Sequence, residues 1–143
     1  MNAIGIDIGG TFIKGAVVTP KGDILDFFTL PVESSETAEE TIKKLIVQIK
    51  KINYPNISGV GIGCPGTVDS DTGVVEFAPN IGWTNIHIKE MIEQAIELPV
   101  HVTNDANAAA SGESIFGVGR QMQNLIVLTL GTGVGGGLVL NGK

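Results

Sequence analysis

The chain has 143 residues, of which 43% are hydrophobic and 17% charged. This length and apolar content suffice for a hydrophobic core, which excludes a disordered tail. Fifteen acidic against nine basic residues give a net charge of −6, and no cluster of lysine and arginine is present to neutralise a phosphate backbone, so we expect no nucleic-acid partner.

The single cysteine, Cys64, excludes an internal disulfide, and the two histidines lie too far from it in sequence to form a metal-ligand pattern. A reducing cytoplasm is the expected location. A strand-like segment follows Met1 directly, so we expect no signal peptide. Glycines interrupt the uncharged stretch 121–142, and its apolar runs are shorter than the roughly 20 residues that a membrane helix needs, so we expect no membrane partner.

The first third of the chain predicts three antiparallel strands and a helix. Glycine-containing turns separate the predicted strands Ala3–Ile8, Phe12–Val18 and Ile24–Val32. Apolar residues then recur at helical spacing, and Thr37 with Glu40 forms the pattern of a capping box.

The remaining sequence alternates strands and helices. The predicted elements are a strand Ser58–Gly63, an irregular loop rich in Asp and Gly, a helix from Ile88 to Ile96, a strand Val100–Thr103, a helix Asp105–Phe116 and a hairpin within Leu125–Leu140. This order predicts an α/β fold with a mixed sheet and helices on both faces.

A weak internal repeat relates the two ends of the chain. Residues 2–11 align without a gap on residues 124–133, and the same register brings Lys21 onto Lys143. Any two glycine-turn hairpins share some likeness, but a duplication would make Asn124 the start of a second, homologous lobe. We therefore predict a first lobe at residues 1–118 and the opening hairpin of an incomplete second lobe at residues 119–143.

Both hairpin turns are rich in Gly and Thr and follow an apolar strand. Glycine permits positive φ and close approach of a ligand to backbone N–H groups, so successive amides can form an anion-binding nest. Two matched turns predict a polyphosphate held from both sides, whereas the alternative is a tight hairpin that needs glycine for geometry alone. The two matches to GxGxxG do not open helices, and no P-loop is present.

Asp105 follows Asn104 where a strand gives way to a helix. The positive end of the helix dipole favours a carboxylate there, and phosphoryl transfer needs one base to accept the proton of the acceptor hydroxyl. Asp105 fits that base, and the alternative is that it only caps the helix.

Five motifs, in order along nearly all of the chain, resemble the ROK family of glucokinases, other hexose and N-acylhexosamine kinases and related repressors. They are Asp7-Ile-Gly-Gly-Thr11-Phe-Ile-Lys14, Gly61-Ile-Gly-Cys-Pro65-Gly66-Thr-Val-Asp69, Pro79-Asn80-Ile-Gly82-Trp83, Asn104-Asp105-Ala-Asn107-Ala and Leu130-Gly-Thr-Gly-Val-Gly-Gly-Gly137. The resemblance implies the ribonuclease H-like, actin-like ATPase fold.

The resemblance also implies a kinase that uses ATP and magnesium to phosphorylate the 6-hydroxyl of a hexose, with Asp105 as the catalytic base. The implied phosphate-binding residues are Asp7, Gly9, Gly10, Thr11, Lys14, Gly131, Thr132 and Gly133. Asp7 would hold magnesium through water. The implied sugar-binding residues are Gly66, Asn80, Asn104 and Asp105, since an Asn side chain both donates and accepts hydrogen bonds.

Other features have expected roles outside the chemistry. We expect Trp83 to be a packing residue, although a sugar platform is the alternative, and we expect Cys64, His87 and His101 not to be ligands. The family's zinc motif, sugar-binding Glu and His, and adenosine pocket would follow Lys143, so no zinc site is expected within this chain. Since Met1 leads directly into the first predicted strand, we expect no helix-turn-helix before it, and this expectation favours the kinase branch over the repressor branch.

Three classes of function stay open at this point. The chain belongs to a hexose kinase, with glucose the default and an N-acylhexosamine the runner-up, to a non-catalytic sugar-binding or regulatory module, or to an actin-like ATPase without a sugar acceptor. Because the hairpin 125–140 would leave apolar edges without partners, we expect the chain to form a homo-oligomer. Half a cleft also predicts that the 143-residue chain alone is inactive.

Overall fold

Buried and exposed residues alternate along several of the strands, whereas buried residues recur every three or four positions in the helices. The computed structural model describes residues 1–131 and 133–142. Its elements in chain order are β1 (Asn2–Ile8), β2 (Phe12–Val18), β3 (Ile24–Pro31), α1 (Ala38–Lys50), β4 (Ile57–Cys64), β5 (Thr67–Asp69), β6 (Val74–Ala78), a 3₁₀ turn (Pro79–Ile81), β7 (Trp83–Ile86), α2 (Ile88–Ile96), β8 (Val100–Asn104), α3 (Asp105–Ile115), β9 (Leu125–Leu130) and β10 (Val134–Val139).

Five strands form the main sheet in the order β3-β2-β1-β4-β8. The pairs β1–β2 and β2–β3 are antiparallel, whereas β1–β4 and β4–β8 are parallel. The predicted mixed sheet is thereby confirmed. The parallel strands β1, β4 and β8 end at one edge of the sheet, and this edge carries the motifs singled out above.

Helices cover both faces of this sheet. Helices α1 and α2 enclose the core on one face, where Ile4, Ile6, Ile42, Leu45, Val60, Ile62, Ile88 and Ile92 are buried. Burial of an isoleucine side chain contributes about 1.5–3 kcal/mol. Helix α1 begins at the predicted capping box, in which Thr37 Oγ1 accepts from the Glu40 amide and Glu40 accepts from the Thr37 amide. Among the described residues, no helix has the length and apolar character to cross a membrane.

Helix α3 lies on the opposite face of the main sheet, between it and the hairpin β9–β10. A Cβ on Gly63 of β4 would lie 3.4 Å from Ala108 Cβ, while a Cβ on Gly137 of β10 would lie 2.6 Å from Ala110 Cβ. Small residues on both sides therefore let the helix approach two sheets closely.

The segment after β4 differs from the predicted irregular loop. It forms a second antiparallel sheet of β5, β6 and β7. Asp69 organises the β5–β6 turn, because its carboxylate accepts hydrogen bonds from the Asp71 and Thr72 amides and from Thr72 Oγ1, and Gly73 completes the turn at φ +70°. The Asp and Gly residues that suggested an irregular backbone are therefore the turn residues of a β-hairpin.

The second hairpin resembles the first but has a turn one residue shorter. Ile8 pairs with Ile13 across the first turn, whereas Leu130 pairs with Val134 across the second. The predicted gapless alignment is therefore wrong beyond the turn, since a one-residue shift moves every following side chain to the other face of the hairpin. The expected match of Lys21 with Lys143 lies outside the described residues.

One face of β9–β10 is apolar and exposed. We call it the outer face, and its members are Ile126, Leu128, Leu130, Val134, Leu138 and Leu140, with exposures from 57% to 82%. The corresponding residues of β1 and β2, such as Ile4 and Ile8, are buried beneath helices. The outer face of the hairpin thus has the apolar character of a core, but no described element covers it. The boundary between the two lobes at residues 118 and 119 stays a prediction.

Candidate functional site

The site lies where the parallel strands of the main sheet end. In the parallel register Asp7 of β1 pairs with Gly63 of β4, and Cys64 pairs with Asn104 of β8. The carboxyl ends of parallel strands are the usual place for a ligand in α/β folds. This edge therefore brings Asp7 and Asp105 to one side of the molecule.

A cleft of about 640 Å³ opens at this edge and is also lined by the second hairpin. Of the residues expected to bind phosphate, magnesium or sugar, it is lined by Asp7, Gly9, Gly10, Thr11, Gly66, Asn80, Asn104, Asp105, Gly131 and Gly133. Thr132 lies outside the described residues. Lys14 does not line the cleft but is the exposed cross-strand partner of Asp7 in β2.

Asn104, and not Asp105, caps helix α3. Asn104 Oδ1 accepts hydrogen bonds from the amides of Ala106, at 2.9 Å, and Asn107, at 3.3 Å. The interpretation of Asp105 as the cap is therefore wrong. Asp105 is the first residue of the helix, exposed in the cleft, with Oδ1 accepting from the Ala106 amide at 2.8 Å. An acidic side chain in the first turn of a helix interacts favourably with the helix dipole.

Asn104 also ties the helix to the turn that follows β4. Its Nδ2 donates to the Gly66 carbonyl at 3.0 Å. Gly66 has φ +87°, and a Cβ there would lie 2.7 Å from Ala78 Cα, so only glycine fits this turn. With Oδ1 accepting two bonds and Nδ2 donating one, Asn104 keeps one N–H for a ligand.

The backbone amides of the two glycine turns divide into two groups. The Gly9 amide donates to the Phe12 carbonyl and the Gly131 amide to the Gly133 carbonyl, so these two close their own turns. The amides of Gly10, Thr11 and Gly133 donate to no other described residue. Three backbone donors without a described partner therefore belong to residues that line the cleft from both turns, which is the composition of an anion-binding nest.

The electrostatics of the cleft centre on Asp7. Burial raises the pKa of this carboxyl above its ordinary value, the nearby Asp105 carboxylate raises it further, and Lys14 opposes both. Two carboxylates that repel each other across a cleft suit a divalent cation, because Mg²⁺ takes one or two carboxylates and fills its shell with water and phosphate oxygens. Within the described part of the chain, no three potential metal-ligating side chains form a cluster.

Several neighbouring residues are structural. Cys64 is fully buried, and burial together with the two aspartates raises the pKa of its thiol to about 12, so the thiol stays neutral and unreactive. Trp83 is 4% exposed within the core, as expected for a packing residue. His87 and His101 lie on the surface outside the cleft.

Thr129 was missed in the sequence. It lines the cleft from β9 and stands at the position of the repeat that Asp7 occupies in β1. The alignment of residues 2–11 with 124–133 contained this signal, although the change from carboxylate to hydroxyl concealed it.

Comparisons with known proteins agree with this architecture. A family model described as the ROK family matches residues 3–143. The chain is 40% identical to a glucokinase of Halalkalibacterium halodurans and 43% identical to a glucokinase of Streptomyces coelicolor, and in each case 98% of this chain is covered. It is also 33% identical, over 97% of its length, to the xylose repressor of Bacillus subtilis.

The structure superposes over 100% of its length on the ROK family glucokinase of Streptomyces griseus in complex with glucose and AMPPNP, with a TM-score of 0.91 and 42% identity. It covers 46% of that chain, and 44% of each of the two glucokinases named above, so it spans about half the length of the proteins it matches. Its fold is the actin-like ATPase fold of ROK sugar kinases. With the family model matching residues 3–143 and the cleft built from the five motifs, the chain belongs to the ROK family.

Proposed function

We propose that this chain supplies the general base and the phosphate-binding turns of an ATP-dependent kinase that phosphorylates the 6-hydroxyl of a hexose, with glucose as the first candidate. The observation that carries the proposal is Asp105, exposed at the start of α3 in the same cleft as the free amides of both turns. Because Asn104 already caps the helix, capping does not explain an acidic residue at this position.

In this proposal the sugar hydroxyl gives its proton to Asp105 as its oxygen attacks the terminal phosphorus of ATP. The bond between that phosphorus and the β,γ-bridging oxygen breaks, and ADP leaves. The ring lies against Gly66 and Asn80 and uses the remaining N–H of Asn104. The free amides of Gly10, Thr11 and Gly133 hold the polyphosphate, so the turns on both sides fix it in line with the acceptor. Asp7 would hold a hydrated Mg²⁺, which supplies charge neutralisation on the phosphates when bound.

The competing proposal is a sugar-responsive regulator without catalysis. Its support is the 33% identity to a xylose repressor, because that relative is named as a repressor and not as a kinase. The two proposals differ in Asp105, which a regulator needs at most for hydrogen bonding and a kinase needs as a base.

The experiment that tests the proposal uses a hybrid kinase, in which residues 1–143 replace the matching N-terminal segment of the Halalkalibacterium halodurans glucokinase. ADP release is measured with MgATP across a panel of glucose, mannose, N-acetylmannosamine and xylose. Glucose-dependent ADP release is expected, and the unaltered glucokinase is the control. Preference for N-acetylmannosamine would favour an N-acylhexosamine kinase, and no response to any sugar by a folded hybrid would contradict the proposal.

A further inference from the structure

The second hairpin brings one hydroxyl side chain into the cleft whose role remains to be assigned. Thr129 lines the cleft together with Asp7 and Asp105. It precedes the second glycine turn by the same number of residues by which Asp7 precedes the first. The repeat is gapless up to the turns, so this equivalence is unaffected by the shorter second turn.

The hydroxyl of Thr129 lies on the α3 side of the hairpin. Thr129 pairs with Gly135 in the β9–β10 register, and a Cβ on Gly135 would lie 2.5 Å from Thr129 Oγ1 and 3.3 Å from Ala106 Cβ. The hydroxyl is therefore close to the first turn of the helix that begins with Asp105. Thr129 is partly exposed, and it lines the cleft from β9.

We propose that Thr129 Oγ1 donates a hydrogen bond to the polyphosphate of the bound nucleotide, on the side opposite Asp7. This inference rests on the proposed kinase function. The two lobes would then contribute matched positions of different charge, a carboxylate for the cation and a neutral donor for the anion.

The charge of the cleft explains why a hydroxyl suits this position. Asp7 and Asp105 already repel each other, and a third carboxylate would add repulsion against both of them and against the phosphates. A hydroxyl can donate without adding charge, and a hydrogen bond to a charged acceptor is among the stronger ones in proteins. Sugar recognition is less favoured, since the residues expected to contact the sugar lie in the first lobe.

Two substitutions in the hybrid kinase test this role. Thr129→Val keeps the shape of the side chain and removes the donor, whereas Thr129→Ser keeps the donor and removes a methyl group. Thr129→Val is expected to lower kcat/KM for MgATP by about tenfold or more, equivalent to about 1.4 kcal/mol, with the KM for the sugar and the melting temperature nearly unchanged. Thr129→Ser should stay within about threefold of the wild-type hybrid, because hydrogen bonding, not packing, is its proposed role.

The outcomes separate this inference from the proposal beneath it. An active hybrid in which Thr129→Val behaves like wild type overturns only the role of Thr129. Equal losses in the Val and Ser variants also overturn it, because they indicate packing against Gly135. A folded wild-type hybrid that releases no ADP with any sugar overturns the kinase function and this inference together.

Discussion

Replacing Asp105 by asparagine in the hybrid kinase separates catalysis from helix stability. The substitution keeps the size and polarity of the side chain and removes the carboxylate that would accept the proton. Asn104 still donates to Gly66 and still caps α3 through the Ala106 and Asn107 amides. The helix therefore keeps its cap in the variant.

The two expected magnitudes differ widely. A positioned general base contributes typically 10²–10⁴-fold, so kcat should fall by about that factor, or roughly 3–5 kcal/mol of transition-state stabilisation. Loss of the carboxylate at the helix start costs about 0.3–1 kcal/mol of stability, and relief of its repulsion with Asp7 offsets part of that. The free energy of unfolding should therefore change by less than about 1 kcal/mol.

Asn104→Ala is the matched control in the neighbouring residue. It removes an N-cap worth about 0.5–2 kcal/mol and a hydrogen bond to Gly66 worth about 0.5–1.5 kcal/mol. We expect the melting temperature to fall clearly in Asn104→Ala and hardly in Asp105→Asn. Steady-state kinetics and thermal unfolding of the three proteins side by side measure both quantities. If Asp105→Asn keeps kcat within about threefold of wild type, far less than the loss expected for a base, the assignment of Asp105 is wrong.

Three further predictions follow from the packing, charge and exposed surface of the chain. Gly137→Ala should lower stability by about 1–3 kcal/mol and reduce kcat, because its Cβ would lie 2.5 Å from the Ala106 carbonyl, whereas Gly136→Ala should change little because its Cβ meets only ordinary contacts from 3.7 Å. Asp7→Asn should abolish MgATP-dependent turnover yet raise the melting temperature at neutral pH. The raised pKa of Asp7 means that folding opposes its ionised form, so this gain should vanish as the pH falls below the ordinary value of 3.8, where the carboxyl is protonated in both states. The isolated 143-residue chain should self-associate through the outer face of the second hairpin, and Leu128→Lys should weaken that association; sedimentation velocity showing a wild-type monomer at all concentrations would contradict this.

Much of the fold could be predicted because local signals and tertiary structure agree. The apolar residues of α1 that recur at helical spacing are the ones buried in the core. The capping box of Thr37 and Glu40 forms between residues only three positions apart, so its hydrogen bonds depend on local sequence alone. The strands before and after it carry alternating or continuous apolar residues that can be buried only as a sheet. Asp7 and Asp105 were expected in one site from the family resemblance, and the structure supplies the physical reason, because the parallel strands that precede them end at one edge of the sheet.

What was missed depends on contacts that a single segment does not reveal. Asp69 and Gly73 are typical of a loop, and only the pairing of β5 with β6 and β7 turns their segment into a sheet. The length of the second turn is set by the pairing of Leu130 with Val134. The sequence conceals this difference, because Gly131 and Gly137 have the same spacing as Gly9 and Gly15 in the first hairpin. The alternative that Asp105 only caps the helix stayed open because Asp and Asn have nearly equal cap preference, and only the direction of their side chains shows that Asn104 is the cap.

The position of α3 links Asp105, the proposed base, to both sides of the cleft. On one side, a Cβ on Gly63 would lie 3.4 Å from Asp105 Cα, so the main sheet supports the first residue of the helix directly. On the other side, Gly137 approaches the Ala106 carbonyl, one residue further along, from the second hairpin. Backbone atoms in close contact on two sides leave the helix little freedom to shift, because packed interiors deform at a high cost in free energy. Asp105 is therefore held at a fixed place relative to the free amides of Gly10, Thr11 and Gly133, which is the arrangement that transfer between a bound sugar and a bound polyphosphate requires.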